Sequence, residues 1–193
     1  VELVRDAAEK HGRSIGLLVD LQGPKIRIGE FVNGKMQLRN GKNFSIDSAL
    51  GEREGNEQVV GTSYTSLVDD VNSGDRLLLD DGNIVLEVKK VEGTTILTRV
   101  IVGGELSNSK GINKLGGGLS AEALTEKDHE DIRFAAEIGA DYLGVSFVRH
   151  GADVETARML LRAAGSDAHV ISKIERREAI DNMIEIVTAS DAI

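Results

Sequence analysis

The fold is decided by Asp141-Tyr-Leu-Gly-Val-Ser-Phe-Val148, then Asp153–Ala164, then His169-Val-Ile-Ser-Lys-Ile-Glu175. The first and third stretches are short apolar runs of the length of a strand. Between them Val154, Ala157, Leu161 and Ala164 recur at helical spacing, and Gly165 supplies a stop. Working backward, Thr125-Glu-Lys-Asp128 has capping-box spacing with Asp at its last position, and Ile132, Ala135, Ala136 and Gly139 then share a helix face. Working forward, Ile180, Met183, Ile184 and Val187 lie at i, i+3, i+4 and i+7 and make the face of a further helix. Alternating β and α implies a parallel sheet with right-handed crossovers.

Near the start, Ile15-Gly-Leu-Leu-Val-Asp-Leu21 is another short apolar run, closed by an acid, as expected of a strand buried on both faces. Val1–Lys10 reads as a helix with Leu3, Val4, Ala7 and Ala8 on one side. Between these α/β parts the text changes character. From about residue 29 to 121 it reads as six to eight short strands with no helix longer than a turn. Asp81-Gly82 separates the runs Arg76–Asp80 and Asn83–Val91, and Glu92-Gly93 leads into Thr94–Val102, two hairpin signals. The expected organisation is therefore residues 1–28 and 122–193 as one α/β unit, with residues 29–121 inserted as an all-β domain. The α/β remainder holds three strands and the start of a fourth. That is part of an eight-stranded TIM (β/α)8 barrel, and an insert leaving at a strand end reads as a barrel-like lid.

The composition narrows the function classes. The 193 residues carry 32 acidic and 23 basic side chains, a net charge of −9, which argues against non-specific nucleic-acid or anionic-membrane binding. Aromatic residues are only 3%, too few for base-stacking platforms. Cys is absent, which excludes a disulfide scaffold, a Cys-ligated zinc site and a Cys nucleophile, and fits a reducing, cytoplasmic location. No apolar run is long enough for a membrane span or secretory signal. The first residue is not Met, Val1 already sits within a helix-like pattern, and Ser190–Ile193 stops as an apolar run begins. The expectation is a piece of a longer chain.

Each parallel-strand candidate carries polar residues near its carboxyl end: Asp20, Ser146, and the pair Lys173 and Glu175. Lys173 and Glu175 are two apart, so their side chains share a face. At the exit of a buried strand such charges must be paired or bound. They are either a cation and a metal ligand for an anionic substrate or a strand-end ion pair. Asp20-Leu-Gln-Gly-Pro-Lys25-Ile-Arg27 turns at Gly23-Pro24, the only Pro in the chain, and Arg27 suits bidentate phosphate binding. Gly116-Gly117-Gly118 is a phosphate cradle or a hinge and is not a P-loop. Asp80-Asp81 is a turn or a metal-binding pair, and the four His have no metal-ligand spacing.

DLQGPKIR, DDG, KGIN and ISKIE, in this order, resemble the pyruvate kinase family over the whole chain, and LQGPKIR with KGINKLGGGLS is similar to its bacterial type II members. The resemblance implies phosphoryl transfer from phosphoenolpyruvate to ADP, giving pyruvate and ATP. It makes Lys173 the cation at the transferring phosphoryl group and the enolate oxygen. Glu175 becomes a ligand of Mg²⁺ or Mn²⁺, and Arg27 a holder of the phosphoryl group. Lys110 is placed at the nucleotide phosphates, with Asp80 or Asp81 meeting the site when the lid closes. Ser146 and Phe147 match the family's next strand end, and Asp20 with the Leu21 carbonyl matches its monovalent-cation site. A homotetrameric parent enzyme is also implied.

Two departures stand out. Lys25 stands where many members have Glu and need K⁺; its ammonium is expected to supply that charge, so K⁺ is not required. Lys114-Leu115-Gly116 replaces the usual Leu-Pro-Gly, which is expected to loosen the return hinge. Other parts of the family's site lie outside these residues, so the 193 residues alone are expected to be inactive. The alternatives are a metal-dependent barrel lyase or aldolase using Lys173 as a Schiff-base amine, and a non-enzymatic binding module.

Overall fold

The computed structural model describes residues 1–193. In chain order the elements begin with α1 (Glu2–Lys10), β1 (Leu18–Asp20), β2 (Lys35–Leu38), β3 (Asn43–Asp47), β4 (Val59–Gly61) and α2 (Leu67–Asp70). There follow β5 (Arg76–Leu79), β6 (Ile84–Glu92), β7 (Thr95–Val102), β8 (Gly104–Ser107) and β9 (Ile112–Lys114). The chain closes with α3 (Glu126–Glu137), β10 (Tyr142–Val145), α4 (Gly151–Ala163), β11 (His169–Ser172), α5 (Arg177–Asp181) and α6 (Met183–Ala189). It divides into two compact units, Val1–Pro24 with Glu122–Ile193, and Lys25–Ala121.

The first unit is α/β. Its sheet has the order β1-β10-β11, parallel throughout, with Asp20 opposite Gly144 and Val145 opposite Ser172. Leu143, Gly144 and Val145 in the middle strand are all buried, as in a parallel strand covered on both faces. The core joins Leu143, Val145 and Val170 to Ile132 and Ala135 of α3 and to Val154, Ala157 and Leu161 of α4. The capping box of α3 forms with Asp128 in the third position: its carboxylate accepts from Thr125 N–H at 2.8 Å, and Thr125 Oγ1 accepts from Asp128 N–H at 3.2 Å. Asp191 accepts from Val170 N–H and from Arg158, which together hold its carboxyl below the usual carboxylate range.

Two apolar helix faces are largely exposed. Leu3 and Val4 of α1 are exposed, and only Ala8 is buried. The last helical stretch is broken at Asn182, whose amide donates to Arg149 O. The break turns Ala179 and Ile186 inward and leaves Ile180, Ile184 and Val187 exposed. A periodic stripe marks which residues can share a face, while the break decides which face meets the core. The third strand ends at Ser172, so Lys173 and Glu175 follow it instead of lying within it.

The second unit is all-β apart from the single turn of α2. Six strands run in the order β4-β3-β7-β6-β5-β9, and β2 pairs with β8. All pairs are antiparallel except β3 with β4. Period-two burial puts Leu77 and Leu79, Ile84, Leu86 and Val88, and Ile96 and Val100 into one core with Phe44 and Ile46. Buried Thr98 satisfies its hydroxyl by donating to Phe44 O at 2.7 Å. A register shift between Val88 and Lys90 lets Lys89 and Lys90 both face solvent. No helix is long and apolar enough to cross a membrane.

Leu86 is fully buried at the centre of this core. Leu86→Ala is expected to lower unfolding stability by about 2–5 kcal/mol, read as a shifted urea midpoint with an unchanged slope.

Candidate functional site

The parallel register brings Asp20, Ser146 and Lys173 to the same end of three neighbouring strands. Lys173 Nζ lies 3.1 Å from both Asp20 carboxylate oxygens, 2.9 Å from Ser146 Oγ and 3.7 Å from Glu175 Oε1. Ser146 in turn donates to the Leu21 carbonyl at 2.6 Å, so the ammonium, the hydroxyl and the backbone form one chain of bonds. Phe147 adopts φ 58°, and its N–H donates to Glu175 Oε2 at 3.1 Å. The backbone is thus bent to aim a donor at Glu175.

Two glycines make room for this arrangement. A Cβ on Gly144 would stand 3.1 Å from Asp20 Oδ1, so its absence admits the carboxylate over the middle strand. Gly23, at φ 63°, packs against Ser146 and Phe147, where a Cβ would meet ring and backbone atoms at 2.9–3.2 Å. Gly23 N–H donates to the fully buried Asp128 at 3.1 Å, which ties the turn after β1 to the start of α3. Asp128 was legible in the sequence only as a helix cap; nothing there pointed to Gly23, 105 residues away.

One ammonium facing two carboxylates leaves this rim net negative. Glu175 is about one-third exposed and meets Lys173 at 3.7 Å, so its oxygens have room for another partner. No group of three or more His, Asp or Glu is close enough to form a metal cage. The Glu175 carboxylate is of the hard oxygen type that could supply one ligand to a divalent cation.

The second unit holds the other expected residues. Arg27 N–H donates to Ser63 Oγ at 3.0 Å, and its guanidinium donates to the Ser109 carbonyl at 2.6 Å. Arg27, Thr62, Ser63 and Ser109 line a cavity of about 270 Å³ together with Leu50 and Glu52. Lys110 pairs with Asp80 at 2.7 Å, and Asn83 also donates to Asp80. Asp80 and Asp81 both take left-handed backbone, φ 51° and 55°, which makes Asp-Asp-Gly the turn of a β5–β6 hairpin. Lys25 is exposed. Lys114 is held by Asp75 at 3.0 Å and by the Asp70 carbonyl at 2.8 Å, anchoring the strand that precedes the three glycines. Gly116, Gly117 and Gly118 all have positive φ, a path that only glycine follows freely.

A parallel α/β unit with a lysine and a carboxylate at its strand ends, interrupted in the chain by an all-β unit, defines a mixed α/β protein. The family model of the pyruvate kinase barrel domain matches residues 1–193. The chain belongs to the pyruvate kinase family. It is 54% identical over 193 residues to pyruvate kinase II of Salmonella typhimurium, covering 98% of this chain and 40% of that protein. It is 51% identical over 195 residues to a pyruvate kinase of Haemophilus influenzae and 43% identical over 190 residues to one of Corynebacterium glutamicum. The shares covered there are 100% and 98% of this chain, and 41% and 40% of those proteins. The chain thus spans about two-fifths of the length of these relatives.

The hydrogen bond from Lys110 holds the Asp80 carboxyl below its usual value of 3.8, with Asn83 assisting. The pair is complete above that value and is lost as acid protonates Asp80 through its lowered pKa. Lys110→Met is expected to move the Asp80 titration upward, followed by carboxyl carbon NMR.

Proposed function

We propose that these residues form part of the active site of a pyruvate kinase, which moves a phosphoryl group from phosphoenolpyruvate to ADP. The observation that carries this reading is Lys173, held by Asp20 and Ser146 at the strand ends with Glu175 beside it. In the transfer the bond from phosphorus to the enol oxygen breaks. A bond from phosphorus to a terminal oxygen of the ADP β-phosphate forms, and the enolate left behind takes a proton. Such a step depends on charge stabilisation and alignment more than on covalent catalysis.

Lys173 places an ammonium where charge grows on the phosphoryl group and the enol oxygen. Its bonds to Asp20 and Ser146 hold it before substrate arrives, so little reorganisation is needed. Arg27 holds phosphoryl oxygens, and Lys110 serves the nucleotide phosphates once they compete it from Asp80. Ser146 and Phe147 shape the strand end, the latter by fixing Glu175. A Mg²⁺ or Mn²⁺ ion, for which Glu175 supplies one carboxylate, would neutralise substrate phosphate charge when bound. The negative rim supports this, because substrate anions would otherwise meet a net repulsion.

The finer architecture belongs to the same proposal. The three parallel strands are part of a (β/α)8 barrel interrupted by a lid, with barrel residues 1–28 and 122–193 and lid residues 29–121. The parent enzyme is a cytoplasmic homotetramer, and the 193 residues by themselves are inactive. Asp20 and the Leu21 carbonyl occupy the position of a monovalent-cation site, and Lys25 replaces K⁺. The aldolase reading has less support: Lys173 Nζ is engaged by three oxygens within 3.1 Å, the geometry of a held charge and not of a free amine.

Full-length protein supplied with Mg²⁺, phosphoenolpyruvate and ADP, without K⁺, is expected to form pyruvate and ATP in equal amounts. Lys173→Met should keep the fold by circular dichroism and lower kcat by about 10²–10³-fold. An absence of product with or without KCl would overturn the assignment. Separately, Lys25→Glu is expected to make turnover depend on K⁺; turnover that stays independent of the salt would remove the role given to Lys25.

A further inference from the structure

Segment 26–29 runs antiparallel to segment 109–112. Ser109 N–H donates to Gly29 O at 3.2 Å, Ile28 N–H to Lys110 O at 2.8 Å, and Ile112 N–H to Ile26 O at 2.9 Å. Ser109 breaks the regularity of this ladder. It takes φ 56°, a conformation that residues other than Gly adopt uncommonly. At Asp80 and Asp81 the same conformation is explained by the hairpin turn. Ser109 lies between β8 and β9, which pair with different strands, so no tight hairpin requires it. Its side chain does not explain it either, because the hydrogen bonds made by Ser109 come from its backbone.

At this left-handed step the Ser109 carbonyl accepts from the Arg27 guanidinium, 2.6 Å away. The contrast with Lys110 is informative. Lys110 is tethered by a carboxylate, which orients it and neutralises it at once. Arg27 is tethered by a neutral carbonyl, which orients it and leaves its full charge available. One of the five guanidinium N–H groups is used, and the fork keeps four for an anion. Arg27 also lines the cavity of about 270 Å³ with Glu52, with which it makes no ion pair, and with Ser63 and Thr62, whose hydroxyls hold the Arg27 backbone carbonyl at 3.3 and 3.2 Å.

We propose that Ser109 is a positioning residue for Arg27: its left-handed backbone presents a carbonyl that fixes the guanidinium without neutralising it. The consequence for substrate rests on the reading of Arg27 as a holder of the phosphoryl group; the positioning itself does not. A β-branched side chain disfavours left-handed backbone, whereas Gly accepts it freely and keeps the carbonyl.

The test uses full-length protein with Ser109→Val, Ser109→Gly and Ser109→Ala. Two readouts are taken: KM for phosphoenolpyruvate against kcat, and the rate of phenylglyoxal modification at Arg27 by peptide mass spectrometry. Ser109→Val is expected to raise KM by about tenfold or more, with kcat changed less, and to speed labelling of Arg27 several-fold. Gly and Ala should match the parent protein in both, since neither removes the carbonyl and the hydroxyl makes no bond. Should Val fail to fold, Ser109→Thr is expected to shift both readouts in the same direction by less. A folded Val or Thr variant with unchanged KM and labelling overturns the proposal. So does an Ala variant as impaired as Val, which would make the hydroxyl the agent. If the parent protein forms no pyruvate, the functional reading fails, and the labelling rates alone decide whether Ser109 positions Arg27.

Discussion

The parallel pairing of β1, β10 and β11 is the constraint on which the α/β unit depends. Asp20 and Lys173 are 153 residues apart in the chain, yet they are joined by two contacts of 3.1 Å. Only a sheet in which the three strands point the same way can deliver their carboxyl ends to one place. The core beneath makes that register costly to change. Leu143, Val145 and Val170 meet the helices α3 and α4, and a one-residue slip would exchange their faces. The polar ends then solve their own problem. An ammonium near the exit of a buried strand is stabilised by Asp20 and Ser146, and Ser146 is satisfied in turn by Leu21.

The all-β unit solves a different problem. Its core is made by alternation, and its functional candidates sit where alternation stops. Arg27, Asp80, Ser109 and Lys110 lie on turns and irregular ladder at the end of the core, with hydrogen bonds between neighbouring segments holding them. Three of the four non-glycine residues with left-handed backbone belong to this unit, and the fourth, Phe147, holds Glu175 in the other. Such backbone is retained where surrounding contacts over-determine it, and here each instance sets a turn or aims a polar group.

Electrostatics separates the two sets of residues. The rim of the α/β unit carries two carboxylates against one ammonium, whereas Arg27 is held by a neutral carbonyl and not by an ion pair, with Glu52 lining the same cavity. A chain with a net charge of −9 has little general attraction for anions, so any anion site on it depends on such local arrangements. Lys110 is intermediate, because its partner Asp80 must be displaced before it can act elsewhere. The energetic difference between a carbonyl tether and a carboxylate tether is therefore a difference in what each cation can do next.

Much of this was legible in the residue order. Hydrophobic periodicity separated α/β from all-β text, Asp81-Gly82 marked a hairpin, and Thr125 and Asp128 marked a helix start. These are local signals, set by side-chain period and backbone preference within a few residues. The exposed face of Ile180, Ile184 and Val187 was not legible, because a stripe shows amphipathicity without showing which side finds a neighbour. Nor were the tie from Asp128 to Gly23 and the turn of the Ser109 carbonyl toward Arg27. Those depend on groups 105 and 82 residues apart meeting at hydrogen-bond distance, and that is decided by strand register and packing. The sequence by itself determined the elements, the kinds of charged group present and the family they resemble. Tertiary structure alone decided which charges are paired, which cation is held without being neutralised, and which backbone is bent to hold it, because electrostatics and hydrogen bonding act through space.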